Sequence, residues 1–175
     1  MSHGSPRALA LELRPRRFGF AVFEGPSQLL DWGACTYGRP RDSQSITAAT
    51  RIAPLIDTYT PSVAIVRKRT KLSSDVAKAM VAVTLRIEGE LKRHEVRLQS
   101  VDADEVRYFF GQYGCKTKHD IASVLADWFE ELAWKLPPKR KPWQSERHST
   151  ALFDAVAVGV AFFGAGNAHD DGRPT

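Results

Sequence analysis

Short hydrophobic runs separated by turn-forming residues make up the N-terminal part of this chain. Residues 7 to 13, 17 to 24 and 28 to 34 are such runs, and Arg-Pro-Arg-Arg and Glu-Gly-Pro-Ser lie between them. Runs of this length between Gly and Pro signals are typical of strands joined by tight turns. The pattern therefore predicts an antiparallel meander of three strands.

The middle of the chain predicts helices alternating with strands. A helix begins near Ser43 or Ser45, where serine can cap it, and it has to accommodate Pro54. The continuous apolar run over residues 63 to 66 is expected of a buried central strand, and residues 95 to 101 predict a further strand. Between these strands apolar residues recur at helical spacing, which predicts a long amphipathic helix. They are Val76, Met80, Val83, Ile87 and Leu91.

The C-terminal part predicts two more helices. The first carries apolar residues from Ile121 to Leu132, and the Pro-rich stretch 137 to 142 ends it. The last is almost wholly apolar and runs from about Ser149 to Phe163. We therefore expect one domain over residues 1 to 165 and a disordered tail over residues 166 to 175.

Length and composition exclude several classes of protein. With 175 residues, 43% of them hydrophobic, the chain is long enough for one compact core. The longest apolar stretch, Ala155 to Gly166, is too short to span a bilayer, and the N-terminus lacks a signal segment. Cys35 and Cys115 form no paired-cysteine motif, so they are interpreted as reduced structural thiols. We expect a soluble, cytoplasmic protein without a membrane partner.

The positive charge of the chain is concentrated in a few places. The formal net charge is +5, and 13 of the 25 Lys and Arg residues lie in four short groups. The groups are Arg14, Arg16 and Arg17; Arg67, Lys68, Arg69 and Lys71; Lys116 and Lys118; and Lys135, Lys139, Arg140 and Lys141. Clustered cations favour a polyanion, most simply a nucleic acid. A solvated basic surface without a ligand is the alternative.

Two carboxylates lie in otherwise apolar elements. Glu12 ends the first predicted strand, and Asp154 lies in the last predicted helix. A buried acid normally requires a partner, so the pair suggests a shared cation site or a shared hydrogen-bond donor.

The predicted order of elements is that of the ribonuclease H-like fold, an α/β fold with a central five-stranded mixed sheet flanked by helices. From about Ala8 to Phe163 the chain resembles the RuvC family of Holliday junction resolvases. In that family an Asp ends the first strand and a Gly follows seven residues later, as Glu12 and Gly19 do here apart from one methylene.

Two further motifs carry this resemblance. The family has a mid-chain motif in which a basic residue is followed seven residues later by a Gly and four residues after that by a Lys. Arg107, Gly114 and Lys118 match it here. An Asp-Ala-Leu-Ala element after a Pro-rich linker is similar to residues 154 to 157.

The chain departs from the family where the chemistry is expected. Such nucleases hold two divalent cations with carboxylates. Val66, followed by Arg67, corresponds to the second acid of the family, and Ala151 to a further acid or histidine. Glu12 and Asp154 remain as candidate catalytic residues and ligands, sufficient for one hydrated Mg or Mn ion but a poor cage for two. The alternative is that Arg67 neutralises them in an inactive site.

These observations predict a homodimeric RuvC-like domain that binds branched or structured DNA, with weakened or lost metal-dependent phosphodiester cleavage. One alternative is an active Mg- or Mn-dependent Holliday junction endodeoxyribonuclease that recruits another acid, such as Glu146 or Asp104. A second is a protein-interaction or structural subunit on the same fold. Apolar residues beyond the core stripe of the long helix, such as Val81 and Leu85, suggest the dimer contact. The candidate nucleic-acid-binding residues are Arg14, Arg16, Arg67, Arg69, Arg107, Lys116 and Lys118.

Overall fold

A five-stranded mixed sheet forms the centre of the structure, a computed structural model that describes residues 6–37, 44–68, 73–141, 143–144 and 149–167. Helices pack on both faces of this sheet. The strands are β1 (Arg7–Leu13), β2 (Arg17–Glu24), β3 (Leu29–Thr36), β4 (Val63–Lys68) and β5 (Arg97–Asp102). The helices are α1 (Gln44–Tyr59), α2 (Ser74–Arg93), α3 (Ala103–Gly111), α4 (Lys118–Trp128), a 3-10 helix (Glu130–Lys135) and α5 (Ser149–Asn167).

The strand order is β3-β2-β1-β4-β5. Strands β1, β2 and β3 pair antiparallel, with Glu12 opposite Gly19, which confirms the predicted meander. Strand β4 runs parallel to β1, with Leu11 opposite Val66, and β5 runs parallel to β4. The predicted fold class, an α/β fold with a mixed five-stranded sheet between helices, is therefore confirmed.

The two faces of β1 differ in side-chain size. Leu9, Leu11 and Leu13 face the core formed with α1 and α2, whereas Ala8 and Ala10 face the core formed with α3, α4 and α5. Successive side chains of a strand point to opposite faces, so Glu12 is in phase with the two alanines. Small side chains on that face leave room for α5 to pack closely against β1 and β2.

Helix α5 is the core helix of this fold. The segment Ser149–Gly166 is long and apolar enough to cross a membrane. The expectation that the longest apolar stretch, taken to begin at Ala155, is too short to span a bilayer is therefore wrong. Most of this segment is buried in the protein against the sheet and the neighbouring helices, which explains its apolar composition. The fold thus accounts for α5 without a membrane.

Several element boundaries differ from the sequence prediction. The nine-residue α3, which begins with a capping box between Asp102 and Glu105, was not predicted as a separate helix. The helix predicted from Ile121 to Leu132 is interrupted at Phe129, whose backbone is extended, and continues as the 3-10 helix. Helix α5 continues past Phe163 to Asn167. The predicted cap at Ser43 and the tail beyond residue 167 lie outside the described residues.

Candidate functional site

A close approach between β2 and α5 positions the two predicted acids. A Cβ atom on Gly19 would lie 1.8 Å from the carbonyl oxygen of Ala151, so only glycine allows this contact. Glu12 lies opposite Gly19 on β1 and is fully buried, and Asp154 lies one helical turn after Ala151 and is 9% exposed. The packing of α5 on the β1–β2 hairpin therefore brings both carboxylates to the same end of the sheet.

Arg67 connects the two acids. Its Nη2 atom lies 2.5 Å from Oε1 of Glu12 and 3.9 Å from Oδ2 of Asp154. Only 14% of the Arg67 side chain is exposed, so this guanidinium is largely shielded from water. One buried cation is therefore shared by both carboxylates.

Arg14 and Lys118 add two more cations. Arg14 follows β1, where its backbone N–H donates to the carbonyl of Arg17, and its guanidinium pairs with Asp154 and lies 3.7 Å from Oε1 of Glu12. Lys118 begins α4 and places Nζ 3.2 Å from Oδ2 of Asp154. We call Glu12, Arg14, Arg67, Lys118 and Asp154 the charge cluster. Its three cations outnumber its two carboxylates.

The start of α4 holds Lys118 in place. Thr117 caps the helix by accepting a hydrogen bond from the backbone N–H of Asp120 at 3.1 Å. The backbone N–H groups of Lys116 and Thr117 donate to the Asp120 carboxylate, and these hydrogen bonds lower its pKa. The preceding turn contains Gly114 at a φ of 78°, a left-handed conformation that glycine adopts without strain. The predicted Arg107, Gly114 and Lys118 spacing thus spans the α3–α4 connection.

The expectation that Val66 occupies the position of a missing acid is wrong. Val66 packs on the sheet face that carries α1 and α2, together with Leu9 and Leu11. The adjacent Arg67 reaches Glu12 on the other face. Strand alternation explains the correction, because neighbouring residues of β4 point in opposite directions. The β4 side chain that faces Glu12 is therefore Arg67.

The other predicted nucleic-acid-binding residues lie apart from these contacts. Arg16 is exposed in the β1–β2 turn, Lys116 is exposed before α4, and Arg107 is exposed on α3, where it pairs with Asp104. Arg69 and the alternative acid Glu146 lie outside the described residues. By contrast, Arg14 and Arg67 are largely buried, and their guanidinium groups bind carboxylates.

The residues of the charge cluster do not fit a pair of divalent cations. Across the described ranges, no group of three or more His, Cys, Asp or Glu residues could hold a metal ion. A two-metal site needs several acids converging on the ions, whereas Glu12 and Asp154 converge on Arg67. Cys35 and Cys115 are free thiols whose pKa values are raised mainly by burial.

A cleft beside Asp154 was not predicted from the sequence. It has a volume of about 660 Å³ and lies between the start of α4, the N-terminal part of α5 and the connecting segment from Pro137 to Gln144. Lys139, Arg140 and Lys141 line it. The sequence signal was the basic group at 135 to 141, but the placement of that segment beside α4 around one cleft is tertiary.

Solved structures provide the comparison for this geometry. Thermus thermophilus RuvC in complex with a Holliday junction substrate is 12% identical, with a TM-score of 0.70 over 91% of this chain and 94% of that chain. Another Thermus thermophilus RuvC structure gives the same identity and TM-score over 93% and 96%. The yeast mitochondrial Holliday junction resolvase Ydc2 is 14% identical, with a TM-score of 0.66 over 97% and 84%.

Comparison of sequences gives no match: neither a protein-family profile nor a curated protein sequence is significantly similar to this chain. At 12 to 14% identity, the structural likeness establishes the fold. The chain has the RuvC-like, ribonuclease H-like fold of the Holliday junction resolvases.

Proposed function

We propose that this protein binds branched DNA, such as a four-way junction, and that its metal-dependent cleavage is weakened or lost. The observation that carries the proposal is the shared position of Arg67 between Glu12 and Asp154. Protein cations occupy the space between the two acids that a resolvase of this fold would use. Both carboxylates are therefore paired with protein cations where Mg or Mn would have to bind.

The surface basic residues support binding to a polyanion. Arg16, Arg107 and Lys116 are exposed, and half of the Lys118 side chain remains accessible beside Asp154. Contacts of Lys and Arg with phosphates release condensed counterions, which makes binding strongly dependent on salt. Such contacts position a protein on DNA without reading its bases. We therefore expect the protein to recognise the shape of a junction and not its sequence. We also expect it to be cytoplasmic.

The alternative of an active nuclease that recruits Asp104 has little support among the described residues. The Asp104 side chain is 87% exposed on α3 and pairs with Arg107. Asp104 lies in the first turn of α3, where the helix dipole favours a negative charge, so its position is explained without a metal ion.

We further propose that two copies associate through α2. Val81 and Leu85 are 57% and 62% exposed and border a groove of about 710 Å³ that also contains Leu13 and Val66. Exposed apolar residues grouped in this way commonly mark a protein interface. A two-fold contact would place the basic surfaces of both copies in equivalent positions, ready for two arms of one junction.

Fluorescence anisotropy with a labelled four-way junction over a salt series tests the binding proposal. Arg107→Ala with Lys118→Ala should weaken binding to all junction sequences alike and reduce the salt slope by about 2, since each phosphate contact contributes about 0.9. Arg97→Ala is the matched control, because Arg97 is exposed at the start of β5, where it pairs with Val63 and lies at the other end of the sheet from Arg67. Absence of junction binding at low salt would instead favour a protein-interaction or structural role.

A further inference from the structure

The cleft beside Asp154 contains cations that the charge cluster does not use. They are Lys139, Arg140 and Lys141, from the segment between Pro137 and Gln144; Lys118, a member of the charge cluster, also lines the cleft from α4. We call this the linker cleft. Asp154 lines it too, but its carboxylate already pairs with Arg14 and Lys118. The linker cleft is therefore an electropositive surface.

Hydrogen bonds hold the end of this segment in a turn. The backbone N–H of Gln144 donates to the carbonyl of Lys141 at 3.0 Å, and the N–H of Lys141 donates to Oε1 of Gln144 at 3.1 Å. The Arg140 guanidinium donates to the Gln144 carbonyl at 2.8 Å. These bonds fix the backbone of the turn and the Arg140 guanidinium before a ligand binds.

The turn presents an exposed indole. Trp143 lies between Lys141 and Gln144, and it is 78% exposed. Nζ of Lys141 lies 5.4 Å from the centroid of its ring, so a positive charge accompanies the aromatic surface. A stacking surface next to phosphate-binding cations is the combination by which proteins bind single-stranded nucleic acid.

We infer that the linker cleft binds an unpaired DNA strand, with phosphates on Lys139, Arg140 and Lys141 and a base stacked on Trp143. A base inside a duplex has both faces covered by its neighbours, so a protruding indole selects a strand whose bases are unstacked. The inference rests on the proposed function, because the unpaired strand is the one next to the branch point of the bound DNA.

Trp143→Ala should weaken binding of a labelled oligothymidine by about tenfold, the loss expected for one stacked base. Trp134→Ala is the matched control: Trp134 is 73% exposed with Lys135 Nζ 4.1 Å from its ring centroid, but it lies in the 3-10 helix, whereas Trp143 lies in the turn between the cleft-lining residues Lys141 and Gln144. Trp143→Phe should retain most of the affinity. Lys139→Ala with Arg140→Ala should reduce the salt slope by about 1.4.

Tryptophan fluorescence provides a second readout. Quenching by oligothymidine should be lost in Trp143→Phe and retained in Trp134→Phe, because a stacked base quenches the indole it contacts. Equal affinity of the two alanine variants, with unchanged quenching in Trp143→Phe, would overturn the inference.

The same assays separate this inference from the proposed function. If the wild type binds oligothymidine through Trp143 but not a fully paired junction, the linker cleft is supported and junction binding fails. If the wild type binds the junction in a salt-dependent manner but shows no affinity for oligothymidine, the assignment of the cleft fails alone.

Discussion

A guanidinium nitrogen of Arg67 lies 2.5 Å from the carboxylate of Glu12, although 55 positions separate the two residues in the sequence. Parallel pairing of β1 with β4 brings them together, and strand alternation turns both side chains towards α5. A guanidinium donates fixed, directional hydrogen bonds and stays protonated, so a metal ion would have to displace it from the acids. This relationship is the physical basis of the proposal that cleavage is weakened or lost.

Removing Arg67 should destabilise the fold. Arg67→Met leaves the fully buried Glu12 without one of its cations, and loss of one partner of a buried ion pair costs about 3–5 kcal/mol. Glu12→Gln combined with Arg67→Met should recover part of this loss, because the buried carboxylate that has lost its nearest cation is then replaced by a neutral amide. Urea unfolding measures both. Arg7→Met is the control: the Arg7–Glu24 pair is partly exposed and should cost about 1 kcal/mol or less. Equal losses for Arg67→Met and Arg7→Met would contradict this account.

Substitution of Gly19 should disrupt the approach of α5. In Gly19→Ala the new Cβ meets the backbone of Ala151, which cannot rotate away as a side chain can. We expect a loss of about 2 kcal/mol or more in the free energy of unfolding. Gly89→Ala is the control, because nothing lies within 4 Å of its Cβ position on α2. It should stabilise the protein by about 0.5–1 kcal/mol. A neutral Gly19→Ala would mean that α5 does not pack on β2 as described.

A metal site should be obtainable by placing an acid on the face of β4 that carries Arg67. Arg14→Gln with Arg67→Glu removes two cations and places a third carboxylate beside Glu12 and Asp154. Carboxylate-rich sites accept manganese. Electron paramagnetic resonance should therefore detect bound Mn²⁺ in this double variant. Arg14→Gln, Arg67→Gln and Val66→Glu together form the matched control, since both cations are again removed but the new acid points to the opposite face and should give no bound Mn²⁺. Binding by the control but not by the Arg67→Glu variant would reverse the assignment of faces.

Light scattering tests the proposed dimer. Leu85→Glu should convert a wild-type dimer to a monomer, because it places a charge in the exposed apolar groove of α2. Ala82→Glu adds the same charge at an exposed position of α2 that does not line the groove, and it should remain dimeric. A wild type that is monomeric at all accessible concentrations would remove this part of the proposal.

The sheet and the position of α5 were predictable from local pattern. Apolar runs, turn residues and helical periods are local in the sequence, and they located all five strands and α5. The face of Val66 was not predictable in this way, because the spacing of residues in a motif does not state to which side of a strand each residue points. Arg14 was predicted to contact nucleic acid from charge alone, whereas its pairing with Asp154 spans 140 positions. The linker cleft depends on the tertiary arrangement of residues from three parts of the chain, which no local pattern encodes.

Incubation of a labelled four-way junction with the wild-type protein, in EDTA, Mg²⁺ and Mn²⁺ at matched ionic strength, tests the central claim most directly. Anisotropy and denaturing electrophoresis of the same samples report binding and strand cleavage together. The account predicts salt-sensitive binding of similar affinity in all three conditions and little or no cleavage. Robust Mg²⁺-dependent cleavage that disappears in Asp154→Asn would contradict it, because the carboxylates bound to Arg14 and Arg67 would then have to hold metal ions.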